Sequence, residues 1–166
     1  FDRVGCDRSL PLSTRAKPLA TTPATAQMRQ MDNTIPPRFD ITEAEIRKVI
    51  ATFYAAVRRH EVLAPVFAEH IGDWPAHEDR IAAFWAGAIL HRAGYNGSPM
   101  RAHLSAGNVR PEHFAIWLGL FDESLRRTLP PWSARAWSQL AHRIGQGLRA
   151  GVQNIDAGRS GPPVLR

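Results

Sequence analysis

Apolar residues recur at helical spacing four times along the middle of the chain, and no stretch alternates apolar and polar positions as a strand would. The first run is Ile46, Val49, Ile50, Phe53 and Val57. Asp40 and Thr42 precede it, each followed three residues later by a glutamate (Glu43, Glu45), which gives two overlapping helix-start signatures. A short segment, Val62 to Phe67, leads to a break at Gly72-Asp73. Asp73 and Pro75 suit the start of a second helix, with His77, Ile81, Phe84, Trp85, Ala88 and Ile89 on its buried side. The turn residues Gly94 to Pro99 end it. Met100 to Leu104 leaves room for one helical turn, which carries His103. Pro111 and Glu112 open a third helix striped by Phe114, Trp117, Leu118, Phe121 and Leu125, and Pro130-Pro131 stops it. The fourth helix buries Trp137, Leu140, Ala141, Ile144 and Leu148. The pattern predicts an all-α body without internal repeats.

The ends read differently. Residues 1–37 mix Pro, Thr, Ser and Arg without periodicity, which predicts a disordered tail or, since Met28 and Met31 follow, an over-extended start. Residues 38–153 form the predicted domain, and the Gly/Pro-rich residues 154–166 a flexible C-terminal tail.

The formal net charge is +6, which raises the question of nucleic acid. Lys and Arg exceed Asp and Glu by five to three in 1–37, fourteen to eleven in 38–153 and two to one in 154–166. An excess spread this thinly gives no basic run to track phosphates, so nucleic-acid binding is not expected. Cys6, the single cysteine, allows no intrachain disulfide and no cysteine zinc cluster. No apolar run approaches the roughly 20 residues of a membrane span, and no signal-peptide core is present, so a cytoplasmic protein is expected.

Four polar groups interrupt the apolar faces: Tyr54, His77, His103 and Trp117. Each has a bland explanation when taken singly. His77 shares a face with Ile81, Phe84 and Ala88, where a core-edge histidine bonded to backbone is ordinary. Tyr54 borders its stripe, and Trp117 could be bulk. His103 differs because its short segment contributes little core. His91 falls at a helix end that favours a cation, and His60, His70 and His142 read as surface or boundary residues. His113, one turn before Trp117, could face inward. No histidine or acidic pair makes a good start on a zinc site. Oily walls with an imidazole ligand and a few donor tips are what haem asks for.

These residues also match a known family. From Thr42 to about Val152 the chain resembles the third group of truncated haemoglobins. The matching text is Phe53-Tyr54, Leu63 to Phe67, Trp74 with His77, Phe84 to Gly87, Gly94 to Pro99, His103-Leu104 and Phe114 to Phe121, in order and at matching separations. The resemblance implies a two-over-two helical sandwich around one b-type haem, in a bacterial globin. It puts His103 at the proximal iron ligand, and Tyr54, Trp117 and His77 on the distal side facing a diatomic ligand. Phe53, Phe67, Ile81 and Trp85 would pack the haem pocket. His60 stands where an acid is frequent, and His113 where an aromatic residue is common. Dioxygen, nitric oxide or other diatomic molecules are the implied ligands. Turnover as a nitric oxide dioxygenase or a peroxidase would need electrons from a separate reductase, because no G-x-G-x-x-G fingerprint is present. A haem-free helical interaction domain is the competing class, and it leaves the four polar groups as coincidence.

Overall fold

The computed structural model describes residues 35–160, with side chains through residue 154. Among them there are helices and no strand: α1 (Glu43–Val57), α2 (Leu63–Ala68), α3 (Trp74–Leu90), α4 (Pro99–Ala106), α5 (Pro111–Thr128) and α6 (Pro131–Ser160). The expected tail over residues 1–37 lies outside the described residues apart from its last three positions, and residues 161–166 lie outside them too.

Of the two start signatures before α1, the chain uses the second. The Thr42 hydroxyl accepts from the Glu45 N–H while the Glu45 carboxylate accepts from the Thr42 N–H at 2.8 Å, a reciprocal cap. That contact also holds the Glu45 carboxyl below its ordinary pKa. Asp73 caps α3 by accepting from Ala76 N–H at 3.0 Å, with proline in the first turn as expected. The helix stops at Leu90, where His91 turns left-handed (φ 58°). A histidine tolerates that conformation better than a β-branched residue would.

α1 packs on α3, α5 on α6, and α1 joins the two pairs through α5, the expected two-over-two arrangement. The stripes meet in the middle, where Val49, Phe53, Val57, Ile89, Phe121, Leu125 and Trp137 are fully buried. Burying each of the aliphatic and phenylalanine side chains among them is worth roughly 1.5–3 kcal/mol. At the outer edge of the α5/α6 pair, His142 Nε2 meets Asp122 Oδ2 at 2.9 Å.

Two elements exceed their expected lengths. α4 has eight residues rather than one turn. Ser98 caps it, Pro99 occupies its first turn, and Gly107 ends it at φ 72°, so the cap signals lie just outside the segment that apolar periodicity marks. α6 keeps helical backbone past residue 153 to Ser160, where a loose tail was expected. Nothing between Asn154 and Ser160 forces the chain out of a helix; the first prolines are Pro162 and Pro163.

Candidate functional site

A cavity of about 330 Å³ opens among α1, α2, α3, α4, α5 and α6. That is within the roughly 300–1,000 Å³ of small-molecule and cofactor sites. Its walls are mostly carbon, and the polar groups on them are few.

On one side stand Tyr54 from α1 and His77 from α3. The Tyr54 hydroxyl lies 3.0 Å from His77 Nε2, and the two rings meet edge to face with centroids 4.9 Å apart. Tyr54 is only 2% exposed. Burial pushes its phenol above the ordinary tyrosine pKa, with a smaller contribution from the Glu78 carboxylate. Burial likewise lowers His77 to about 4, helped by the positive charge of Arg80, so the imidazole is neutral at pH 7. A neutral ring and a protonated phenol share this contact, and either can be the donor.

Trp117 enters from α5. Its ring stacks on Phe121 (4.8 Å, 19°) and meets Phe53 edge to face at 4.9 Å, which fixes the indole against the core while one edge lines the cavity. α4 contributes His103 to the same cavity. Its Nδ1 donates to the Pro99 carbonyl at 2.7 Å, and its ring stacks on Phe114 at 5.5 Å.

The structure therefore gathers Tyr54, His77, Trp117 and His103 around one space, together with Phe67, Ile81 and Trp85. Phe53 stands one layer behind the cavity lining, 0% exposed, against Tyr54, Trp117 and Phe121.

Other lining residues carried no chemical signal in the sequence. Phe84, Phe114, Ile144 and Leu148 belong to stripes that read simply as core, and Tyr95 belongs to the turn after α3. His70 and His113, read as boundary or ambiguous positions, also line the cavity. His113 Nδ1 accepts from the Arg110 N–H at 3.2 Å, reaching back over the first turn of α5. His70 Nε2 lies 2.9 Å from Asn108 Oδ1, while Asn108 Nδ2 donates to the Val66 carbonyl and to Glu69. Asn108 thereby ties the loop after α4 to α2. His60 lies away from the cavity lining, where its Nδ1 accepts from the Val62 and Leu63 N–H groups at the start of α2.

Comparison with known proteins settles the family. The group 3 truncated haemoglobin ctb of Campylobacter jejuni is 40% identical over 89 residues, which cover 51% of this chain and 70% of that protein. The chain belongs to the group 3 truncated haemoglobins. The crystal structure of the group III truncated haemoglobin from Campylobacter jejuni superposes with a TM-score of 0.66 at 33% identity, covering 68% of this chain and 92% of that one. No protein-family model matches the sequence. The truncated-globin fold thus accounts for the all-helical architecture. Among the described residues, no helix is long and apolar enough to cross a membrane.

Proposed function

We propose that this chain is a haem-binding globin that reversibly binds dioxygen and other diatomic molecules. The observation that carries the reading is that His103, with Nδ1 already engaged, lines the same apolar space as the Tyr54–His77 pair and Trp117.

The residues fit the cofactor. Because His103 Nδ1 donates to Pro99, the lone pair of the neutral ring sits on Nε2, the nitrogen an iron would take. Carbon-lined walls from Phe67, Ile81, Phe84, Trp85 and Leu148 suit the faces of a porphyrin. When bound, haem supplies an iron with one position left open to a diatomic ligand. Tyr54 and Trp117 then serve as donors to that ligand, and His77 orients the Tyr54 hydroxyl. Exclusion of water by the aromatic walls strengthens each of these hydrogen bonds. We infer a b-type haem and a cytoplasmic setting as the simplest forms of this reading.

A second reading is catalytic: nitric oxide dioxygenation or peroxidase-like turnover, with electrons from a separate reductase. The Tyr54–His77 contact favours it, since it places an exchangeable proton on the cavity wall. Consumption of nitric oxide, or of peroxide with an electron donor, far above the rate of free haemin is the outcome this reading expects.

The deciding experiment is the absorption spectrum of the full chain expressed with a haem supply, beside His103→Ala. The proposal expects a Soret band at one haem per chain that is altered or lost in the variant. A wild-type protein without stoichiometric haem would overturn it in favour of a haem-free helical interaction domain. An unchanged spectrum in His103→Ala would keep the cofactor and move the ligand to another histidine.

A further inference from the structure

Arg58 follows Tyr54 by one turn and closes α1 as its C-cap residue. Its side chain leaves that helix. The guanidinium carbon lies 4.9 Å from the centre of the Trp74 ring, and Nη1 lies 3.1 Å from Glu78 Oε1. Trp74 and Glu78 are four residues apart at the start of α3, so they share one face of it, and Arg58 grips both. A planar guanidinium can stack on an indole and bridge a carboxylate in the same pose.

Trp74 is one of four rings in mutual contact. Its centroid is 5.9 Å from Tyr54, 6.4 Å from Phe67 and 6.2 Å from His77. Phe67 lies 5.9 Å from Tyr54 and 6.3 Å from His77. Three helices thus contribute to a cluster that contains the Tyr54–His77 hydrogen bond, and Arg58 covers the Trp74 face. The Arg58 and Glu78 side chains are 38% and 21% exposed. A lone ion pair at that exposure contributes little to stability, which makes a purely stabilising role a poor account of the contact. What the two contacts do together is fix how the first turn of α3 meets the last turn of α1.

We propose that Arg58 is the positioning residue of the Tyr54–His77 pair: packed on Trp74 and bridged to Glu78, it holds His77 in register with Tyr54 and so sets where the tyrosine hydroxyl points in the cavity. The positioning is a property of the protein alone; its consequence for a diatomic ligand rests on the haem reading above. Arg58→Met keeps the aliphatic stem and removes the planar cation. Glu78→Gln removes the carboxylate. Arg58→Lys keeps the charge without the planar face.

The test records the imidazole nitrogen signals of His77 at fixed neutral pH in the full chain, with far-UV circular dichroism as a check on fold, and then the dioxygen dissociation rate of the haem-loaded protein. In Arg58→Met the His77 signals shift or split while the helical content stays the same. Dissociation speeds by about 2- to 12-fold, the value of one ordinary hydrogen bond. Glu78→Gln moves both in the same direction. Arg58→Lys recovers only part of the effect, and a full return to wild-type signals would overturn the stacked geometry. Unmoved His77 signals in a folded Arg58→Met protein that binds haem through His103 would overturn the proposal and leave the haem reading standing. Shifted His77 signals in a chain that takes no haem would do the reverse.

Discussion

The His103 imidazole is oriented by its own helix: Nδ1 lies 2.7 Å from the Pro99 carbonyl oxygen, one turn earlier in α4. A carbonyl can only accept, so Nδ1 carries the proton and a neutral ring presents its lone pair at Nε2. The arrangement depends on α4 being long enough to make that turn. Ser98 at its start and Gly107 at its end bound it, and Phe114 supports the ring from α5. Pro99 serves twice, as a first-turn residue that needs no N–H partner and as the acceptor that fixes the tautomer.

If Tyr54 and Trp117 donate to a diatomic ligand, replacing either removes a hydrogen bond to a polarised group, worth roughly 1.5–3 kcal/mol. Tyr54→Phe and Trp117→Phe are each expected to speed dioxygen dissociation from the haem-loaded protein by about tenfold or more. Stopped-flow displacement by carbon monoxide measures this directly. Unchanged rates in both variants would contradict the placement of donors on this wall.

The pH dependence of stability has a definite sign at His77. Its folded pKa is lowered from 6.5 to about 4 by burial first and by Arg80 second. Above 6.5 the ring is neutral in both the folded and the unfolded chain and contributes no slope. Between 6.5 and about 4 the unfolded chain binds a proton that the folded chain does not, so stability is lost as pH falls through that window. His77→Gln is expected to flatten this part of the profile. Urea midpoints at pH 7 and pH 4.5 give the comparison, and equal losses in wild type and variant would remove His77 as the source.

Much of the site was legible because polar groups on apolar faces stand out. Tyr54, His77 and Trp117 interrupt stripes that the period of 3.6 makes plain, and all three do line the cavity. Periodicity tells which side of a helix is buried, but not which of two neighbouring layers a residue joins, and Phe53 shows the difference. The Asn108 contacts were out of reach for another reason: they pair a loop with residues about forty positions earlier, and nothing in the local pattern marks such a partner. The family resemblance supplied the order of the motifs, while the eight-residue α4 and its tautomer-fixing carbonyl came only with the structure.

The reciprocal cap at the start of α1 carries a stability prediction. Thr42→Ala removes the hydroxyl that accepts from Glu45 N–H and leaves a first-turn donor to water. The expected loss is about 1 kcal/mol, in line with other N-cap replacements. Asp40, which offered the alternative signature, is exposed, and Asp40→Ala is expected to change stability by less than about 0.5 kcal/mol. Denaturant unfolding of the two variants separates the two starts, and equal losses would mean that Asp40 also caps.

Two glycines of α6 should respond in opposite ways to the same substitution. Gly147 is exposed, and a Cβ built there meets nothing within 4 Å. Gly147→Ala therefore adds helix propensity without a clash and is expected to stabilise the protein by roughly 0.4–1 kcal/mol. At Gly151 the same Cβ would overlap the Sδ and Cε atoms of Met100. Met100 belongs to α4, so the absent side chain at Gly151 is what lets that helix settle on α6 three residues before His103. The end of a methionine can move, which keeps the cost of Gly151→Ala moderate, but it offsets the propensity gain. The urea midpoint should rise for Gly147→Ala and stay level or fall for Gly151→Ala. Haem retention should weaken only in the latter, because only there does the added methyl press on a side chain of the helix that carries His103. Equal stabilisation by both would show that α4 does not depend on the notch at Gly151.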